Sequence, residues 1–251
     1  MMIFTIAWRE LRQMFLSPLA WCVLAVIQFI LGWMFLVQVD QFLKYSPSLA
    51  GNPAAPGVTD FISAGLFGSA SIVLLMVVPL MSMRLVAEER RSGSLSLLLS
   101  APVSMTEIVL GKYLGLLWFL LIMLGMILLM PLSLASGTHL DYGKLFAGVI
   151  GLALVLGAFA AVGLFMSTLT RQPVIAAVSG FGILLLLWVI NWAGGGDARY
   201  SAVFHYLSLL DHYGSLLRGV FDTSDVVYYL LFIATFLVLS IRRLDALRLQ
   251  H

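Results

Sequence analysis

The sequence predicts an all-α polytopic membrane protein, and three observations support that fold class. Hydrophobic residues make up 61% of the 251-residue chain and charged residues only 10%, whereas soluble domains average about 45–50% and about 25%. The mean hydropathy is +1.04. The apolar residues form blocks of about 20, the helix length that crosses about 30 Å of hydrocarbon. With a net charge of +2 and no basic run, the chain is not expected to bind nucleic acid.

Six apolar blocks predict six transmembrane helices. Each block is nearly free of charge and is bounded by Gly, Pro, Asp or Arg. The third helix is expected to start before its block, because Ser104-Met-Thr-Glu107 is a capping-box pattern, and to enter the bilayer after Lys112. The blocks cover residues 19–39, 61–83, 113–135, 145–169, 174–193 and 226–241.

Basic residues predict the orientation of these helices. Ten of the 14 Lys and Arg residues lie in one set of flanking segments and four in the other. By the positive-inside rule the more basic set is cytoplasmic, so both termini are expected in the cytoplasm. The basic set contains Arg9, Arg12, Arg84, Arg90, Arg91, Lys112, Arg171, Arg242, Arg243 and Arg248.

Residues 3–16 have the spacing of an amphipathic helix. Apolar residues, Trp8 among them, recur every three or four positions, and Arg9 and Arg12 occupy the opposite side. A tryptophan on the apolar side and arginines on the polar side are typical of a helix in the membrane interface. Residues 1–17 are therefore expected to form an interfacial helix and residues 18–251 the transmembrane domain. The alternative is that the first segment is simply the start of a long span.

The loop over residues 84–112 predicts a docking element. Its charged residues, Glu89 among them, bring the second span out into the cytoplasm, and Gly93 is placed to end that helix. Ser94 can cap a short new helix, which Pro102 stops. Exposed apolar surfaces of this kind mark partner sites, although a simple connector resting on lipid is the alternative. The apolar positions of the short helix are Leu95, Leu97, Leu98 and Leu99.

The outer region over residues 197–224 predicts short re-entrant helices between the fifth and sixth spans. Its apolar residues have helical spacing, but the segment is too polar for a seventh span. One or two short helices are expected to dip into the outer leaflet and to pack on the bundle. Its polar residues are His205, Asp211, His212 and Arg218. Two histidines and an acid could share a metal, but such residues are more often interfacial polar groups, and no metal site is predicted.

Motifs for catalysis are absent from the sequence. The two Gly-Lys pairs, Gly111-Lys112 and Gly143-Lys144, are followed by Tyr and Leu, so neither belongs to a phosphate-binding loop. The sequence has neither a His-Glu-x-x-His motif nor a Gly-x-Ser-x-Gly motif. Charged residues are missing from the span centres, which argues against a proton- or ion-coupled carrier. The chain is predicted to have no catalytic residue and no cofactor or metal of its own.

The six spans, the N-terminal interfacial helix and the loop pattern together resemble the permease subunit of an ABC-2 type ABC transporter. The loop residues of the resemblance are Glu89, Gly93-Ser94-Leu95, Leu97-Leu98, Pro102-Val103-Ser104 and Lys112. Ser96 departs from the pattern, since the family often carries Glu before the leucine pair. Within the family the chain is most similar to the gliding-motility type, through Arg218-Gly219-Val220, Asp222 and Arg242-Arg243-Leu244.

The resemblance implies a homodimeric export permease in the bilayer of the bacterial plasma (inner) membrane. Two copies of a separate ATPase subunit would bind ATP and Mg, and an accessory membrane or periplasmic protein is a further expected partner. Residues 95–100 would be the coupling helix, residues 3–16 the connecting helix, and residues 200–221 the re-entrant helices near the exit of the path. Two other functions stay open, namely an ATP-independent secondary carrier or channel, and an intramembrane enzyme that uses His205, Asp211 and His212.

Overall fold

The structure is a computed structural model that describes residues 2–49, 57–93, 103–190 and 206–248, without the side chains of residues 46–49. Within these ranges the chain is helical and contains no strand. A π-helical turn, Thr59–Ser63, precedes the third helix, and a 3-10 turn, Ser133–Ser136, follows the fifth. The helices are α1 (Met2–Leu16), α2 (Pro18–Leu49), α3 (Ala64–Ser82), α4 (Ala87–Ser92), α5 (Met105–Leu132), α6 (Tyr142–Leu169), α7 (Pro173–Val189), α8 (Leu209–Leu217) and α9 (Thr223–Arg248).

Five helical segments in the described part of the chain are long and apolar enough to cross a membrane. They are Pro18–Tyr45, Thr59–Ser92, Met105–Ser136, Tyr142–Leu169 and Thr223–Arg248. The predicted fifth span corresponds to α7, an apolar helix of 17 residues that is shorter than the others. An all-helical, multi-pass membrane architecture is therefore confirmed, and the count of six spans stays a prediction.

The central helix of the bundle is α6. It is the most buried of the five spans, at 72% against 22% for α9, and α3, α5, α7, α8 and α9 all pack on it. Glycines allow this close approach. A Cβ added to Gly148 would lie 2.8 Å from the ring of Phe67 on α3, and one added to Gly151 would lie 2.9 Å from Leu216 on α8. Small residues of this kind let helices in a membrane pack backbone to backbone.

Two local signals at helix ends are confirmed. The Ser104 hydroxyl accepts a hydrogen bond from the Glu107 amide at 3.1 Å, and the Glu107 carboxylate accepts one from the Ser104 amide at 3.1 Å, so the capping box starts α5. Gly93 ends α4 in the left-handed conformation, with φ of 77°. The docking positions Ser94, Leu95, Leu97, Leu98 and Pro102 lie outside the described residues.

The second span does not continue as one helix to Gly93. The helix α3 ends at Ser82, residues 83–86 form turns, and α4 begins at Ala87. Pro79 lies in the last turn of α3 and cannot donate a backbone hydrogen bond. The helix that Gly93 ends is therefore α4, and residues 83–86 separate it from α3.

The amphipathic pattern located α1 correctly, and the structure adds a buried polar residue on that helix. Ala7 is buried as expected, and Arg9 and Arg12 are exposed. Trp8, however, is 63% exposed, and Glu10 is buried instead. The reason is that α1 turns the Glu10 side toward α5 and leaves Trp8 on the outer surface of the bundle. Its position in the membrane interface stays a prediction.

Candidate functional site

Three ionisable side chains meet where α1, α4 and α5 come together. The Lys112 ammonium donates to Glu10 Oε1 at 2.8 Å and to Glu89 Oε1 at 2.7 Å. The side chains of Lys112, Glu10 and Glu89 are 1%, 8% and 23% exposed. Buried charges are stable only when they are paired. These three residues, called the Lys112 cluster below, therefore hold α1 and α4 against α5.

Two glycines flank Lys112 on α5 and bring α1 close to it. A Cβ added to Gly111 would lie 2.6 Å from the Cβ of Ile6. A Cβ added to Gly115 would lie 2.6 Å from the Cβ of Glu10 and 2.9 Å from a backbone oxygen of α1. Such short distances leave room only for glycine, as in other small-residue helix contacts in membranes. The close contact presents Glu10 to the lysine ammonium.

The break between α3 and α4 is joined to α6 by one serine. The Ser167 hydroxyl accepts hydrogen bonds from the amides of Val86 at 3.1 Å and Ala87 at 2.9 Å, and donates one to the Met83 carbonyl at 2.9 Å. Val86, Ala87 and Ser167 are buried. Amides at the start of a helix have no partner within it, so Ser167 supplies the hydrogen bonds that stabilise the start of α4.

The helices that flank residues 94–102, α4 and α5, are both held in place by side-chain hydrogen bonds. On the first side, the Arg90 guanidinium donates to the Thr168 carbonyl of α6 at 2.7 Å, and Glu89 contacts Lys112 of α5. On the second side, α5 starts at the Ser104 capping box. The predicted docking positions thus lie between two helix ends whose contacts reach α6 and α1.

An open cleft of about 330 Å³ lies beside the Lys112 cluster, between α1–α2 and α3–α4. Its lining includes Glu10 and Glu89 together with the apolar Leu80 and Met81. Arg84, also in the lining, lies 3.9 Å from Glu88 in an exposed ion pair. One side of the cluster therefore faces an accessible, partly apolar space.

At the opposite end of the bundle, His212 pairs with a residue that the sequence analysis did not include. Its Nδ1 lies 2.6 Å from Asp225 Oδ1 on α9, and its Nε2 lies 3.1 Å from the Tyr206 carbonyl oxygen. The Ser215 hydroxyl donates to the second oxygen of Asp225. The ring stacks on Tyr228 at a centroid distance of 4.0 Å. Both ring nitrogens of His212 therefore face oxygen atoms, which fixes the orientation of the imidazole.

The other predicted outer residues have different surroundings. The Asp211 amide donates to Ser208 at the start of α8, and Arg218 closes the end of that helix. His205 lies outside the described residues. In the described ranges no three His, Cys, Asp or Glu side chains come together as potential metal ligands. Within the described residues, the carboxylate in contact with His212 belongs to Asp225.

The helix α8 is a short helix of the predicted kind, and it is packed on the bundle. Leu209, Tyr213 and Leu216 are buried, and the Tyr213 hydroxyl donates to the Phe67 carbonyl of α3 at 3.0 Å. Burial raises the pKa of Tyr213 well above its ordinary value, so the hydroxyl stays a neutral donor. A re-entrant path through the membrane stays a prediction.

A comparison with known protein families identifies the family of this chain. The family model described as ABC-2 family transporter protein matches residues 4–247, a range that includes the Lys112 cluster and α8. No curated protein matches the chain in sequence. Members of this family are membrane permeases that work with an ATPase partner, in agreement with the lack of ATPase motifs in the sequence. The chain belongs to the ABC-2 transporter family and is a multi-pass permease component of an ABC transporter.

Proposed function

We propose that this permease exports cargo as a homodimer and is coupled to two separate ATPase subunits that bind ATP and Mg. The main support is the Lys112 cluster, because it joins the helix ends beside residues 94–102 to α1. In the family resemblance, residues 95–100 are the coupling helix and α1 is the connecting helix. The ion cluster links α1 to α4 and α5, the helices that flank residues 94–102.

Coupling requires that closure of the ATPase pair displaces the transmembrane helices. A push on residues 94–102 acts on α4 and α5, the helices on either side. From α4 it passes to α6 through Ser167 and Arg90, and from α5 it passes to α1 through Lys112. Packed cores and paired charges change between discrete arrangements instead of deforming gradually. The proposed mechanism therefore moves α1 and α6 together when the ATPases close.

The remaining parts of the proposal rest on the sequence. The excess of basic residues on one side supports cytoplasmic termini and a plasma (inner) membrane location. The lack of charge in the span centres suits an apolar or amphipathic cargo. The segments Arg218-Gly219-Val220 and Arg242-Arg243-Leu244 support a place in the gliding-motility subgroup. An accessory membrane or periplasmic protein completes the proposed assembly.

The test replaces the two central leucines of the loop, Leu97→Asp with Leu98→Asp. A charge buried without a partner in the docked contact costs several kcal/mol, so we expect the ATPase to be lost or its hydrolysis uncoupled from the permease. The measurements are co-purification of the ATPase and the ATP hydrolysis of the reconstituted complex. The matched control, Leu97→Met with Leu98→Met, keeps the positions apolar and is expected to behave as wild type.

Wild-type co-purification and hydrolysis in the aspartate variant would mean that the loop is only a connector. Transport by the isolated chain in vesicles, without any ATPase, would favour an ATP-independent carrier or channel instead. The two results are independent of each other. The aspartate variant tests whether residues 94–102 contact the ATPase, and transport by the isolated chain tests whether transport needs ATP.

A further inference from the structure

Three arginines from three segments converge at the α4 end of the bundle. Arg90 lies on α4, Arg171 lies in the turn that joins α6 to α7, and Arg243 lies near the end of α9. The Arg90 guanidinium lies 2.7 Å from the Thr168 carbonyl oxygen, and Thr168 precedes Arg171 by only three residues. Like charges repel one another, so an anion bound between these arginines would lower that repulsion.

The packing of α6 on α9 explains why Arg171 and Arg243 are neighbours. A Cβ on Gly157 would lie 3.1 Å from Ile233, and further along the same two helices Phe165 packs on Phe236 with ring centroids 5.7 Å apart. The two helices therefore run in the same direction. Arg171 follows Phe165 by six residues, just beyond the end of α6, and Arg243 follows Phe236 by seven residues on α9, so both lie beyond the phenylalanine pair toward the same end of the bundle.

Carboxylates do not compensate these arginines in the described part of the chain. The ion pairs found at this end involve other cations, namely Arg9, Arg84 and Lys112. The Arg90 guanidinium donates one hydrogen bond to the Thr168 carbonyl, which fixes its position and leaves further N–H groups available. Arg171 and Arg243 are exposed. Arg90 is thus held in place, and the exposed side chains of Arg171 and Arg243 can contact a ligand.

The position of Arg171 indicates which class of anion suits the three arginines. It lies in the three-residue turn, residues 170–172, between the membrane-spanning α6 and the shorter apolar helix α7, where a turn between apolar helices is expected at the level of the lipid headgroups. Directly after this turn, Val174 and Val178 of α7 are 69% and 66% exposed, and they offer an apolar surface to acyl chains. Charged headgroup contacts beside an apolar helix face suit a lipid better than an acidic protein segment.

We propose that Arg90, Arg171 and Arg243 bind the phosphate headgroup of an anionic phospholipid. Guanidinium groups match phosphate oxygens with paired hydrogen bonds, and basic sites between membrane helices on the cytoplasmic side bind anionic headgroups. The proposal does not depend on coupling to an ATPase, because all three arginines belong to the permease.

The test measures binding of phosphatidylglycerol to the purified full-length chain in detergent, by native mass spectrometry and by lipid-dependent thermal stabilisation. The variant Arg171→Gln with Arg243→Gln removes two exposed charges and is expected to lower phosphatidylglycerol affinity about 25-fold. The matched control, Arg91→Gln with Arg248→Gln, removes two exposed arginines outside the cluster and is expected to keep wild-type affinity. The variant Arg171→Lys with Arg243→Lys keeps the charge and is expected to be intermediate.

Phosphatidylcholine and inorganic phosphate are the remaining arms of the test. We expect neither to stabilise the wild-type chain as phosphatidylglycerol does. Stabilisation by inorganic phosphate alone would overturn the lipid assignment in favour of a free anion. Equal losses in the cluster and control variants would show general attraction to a basic surface. Wild-type phosphatidylglycerol binding by Arg171→Gln with Arg243→Gln, with loss of ATPase co-purification, would overturn the proposal in favour of a protein contact.

Discussion

Replacing Lys112 by methionine tests whether the Lys112 cluster stabilises the fold by charge. Methionine keeps most of the side-chain length but cannot donate to Glu10 or Glu89. Two carboxylates that are 8% and 23% exposed then lose their shared ammonium. The Arg9 guanidinium, which lies 3.6 Å from Glu10, is half exposed and does not replace a buried ammonium.

The size of the effect follows from this burial. Removing one partner of a buried ion pair costs about 3–5 kcal/mol, because the other charge stays in a poorly solvated site. For a domain of this length, each kcal/mol lowers Tm by about 2–4 °C. We therefore expect Lys112→Met to lower the Tm of the purified chain by about 10 °C.

The matched control is Lys144→Met. Lys144 contacts Asp60 at 2.7 Å, the same distance as in the Lys112 cluster, but both side chains are more than a third exposed. Exposed ion pairs contribute little to stability, so the Tm of this variant is expected to stay close to wild type. The assay is thermal unfolding of both variants in one detergent, with and without the co-purified ATPase.

A triple variant separates charge from packing. Lys112→Met with Glu10→Gln and Glu89→Gln removes all three charges, and neutral replacements of a buried ionic group are often close to neutral in stability. We expect the triple variant to regain most of the lost Tm without regaining wild-type ATP hydrolysis in the complex. The reasoning is refuted if Lys112→Met behaves like Lys144→Met, or if the triple variant is no more stable than Lys112→Met.

Two further substitutions test the contacts beside the Lys112 cluster. Gly115→Ala places a methyl group 2.6 Å from the Cβ of Glu10 and is expected to cost about 1–3 kcal/mol of unfolding free energy. The control Gly125→Ala has open space at its Cβ and should not destabilise the chain. Equal Tm values for the two variants would contradict the close contact. Ser167→Ala leaves the buried amides of Val86 and Ala87 without their acceptor and is expected to cost about 1–3 kcal/mol of unfolding free energy for each. The control Ser179→Ala changes a half-buried hydroxyl that donates to carbonyls of its own helix and should stay near wild type; denaturant unfolding and ATP hydrolysis of the complex are the measurements.

Much of the fold could be predicted from the sequence because its signals are local. Apolar blocks of membrane-spanning length identify the helices, and the Ser104–Glu107 capping box and the left-handed Gly93 each act within a few residues. The break over residues 83–86 was missed because it depends on Ser167, which is about 80 residues away in sequence. A serine inside an apolar helix gives no local sign of the amides that it will contact.

The candidate site was harder to predict for the same reason. Glu10 and Lys112 are 102 residues apart, and the amphipathic pattern of α1 contains no information about the helix that covers it. One signal was present in the sequence: Gly111 and Gly115 stand four residues apart around a lysine in an apolar segment, a spacing typical of close helix contacts. Similarly, the partner of His212 lies 13 residues later, on α9.

The chemistry of the contacts indicates how motion is divided in the proposed transporter. Ser167 and Arg90 bind α4 to α6 through backbone groups, so α4 follows α6 as a unit. The contact between α4, α5 and α1 instead consists of long side chains. Lys112 can keep its hydrogen bonds to both carboxylates while the helices shift by a small distance. The break over residues 83–86 interrupts the helix between α3 and α4, so that a push on α4 is not passed straight along α3. In the proposed mechanism, a displacement of residues 94–102 is therefore directed to α6 and α1, the two helices that contact α4 and α5 through buried side chains.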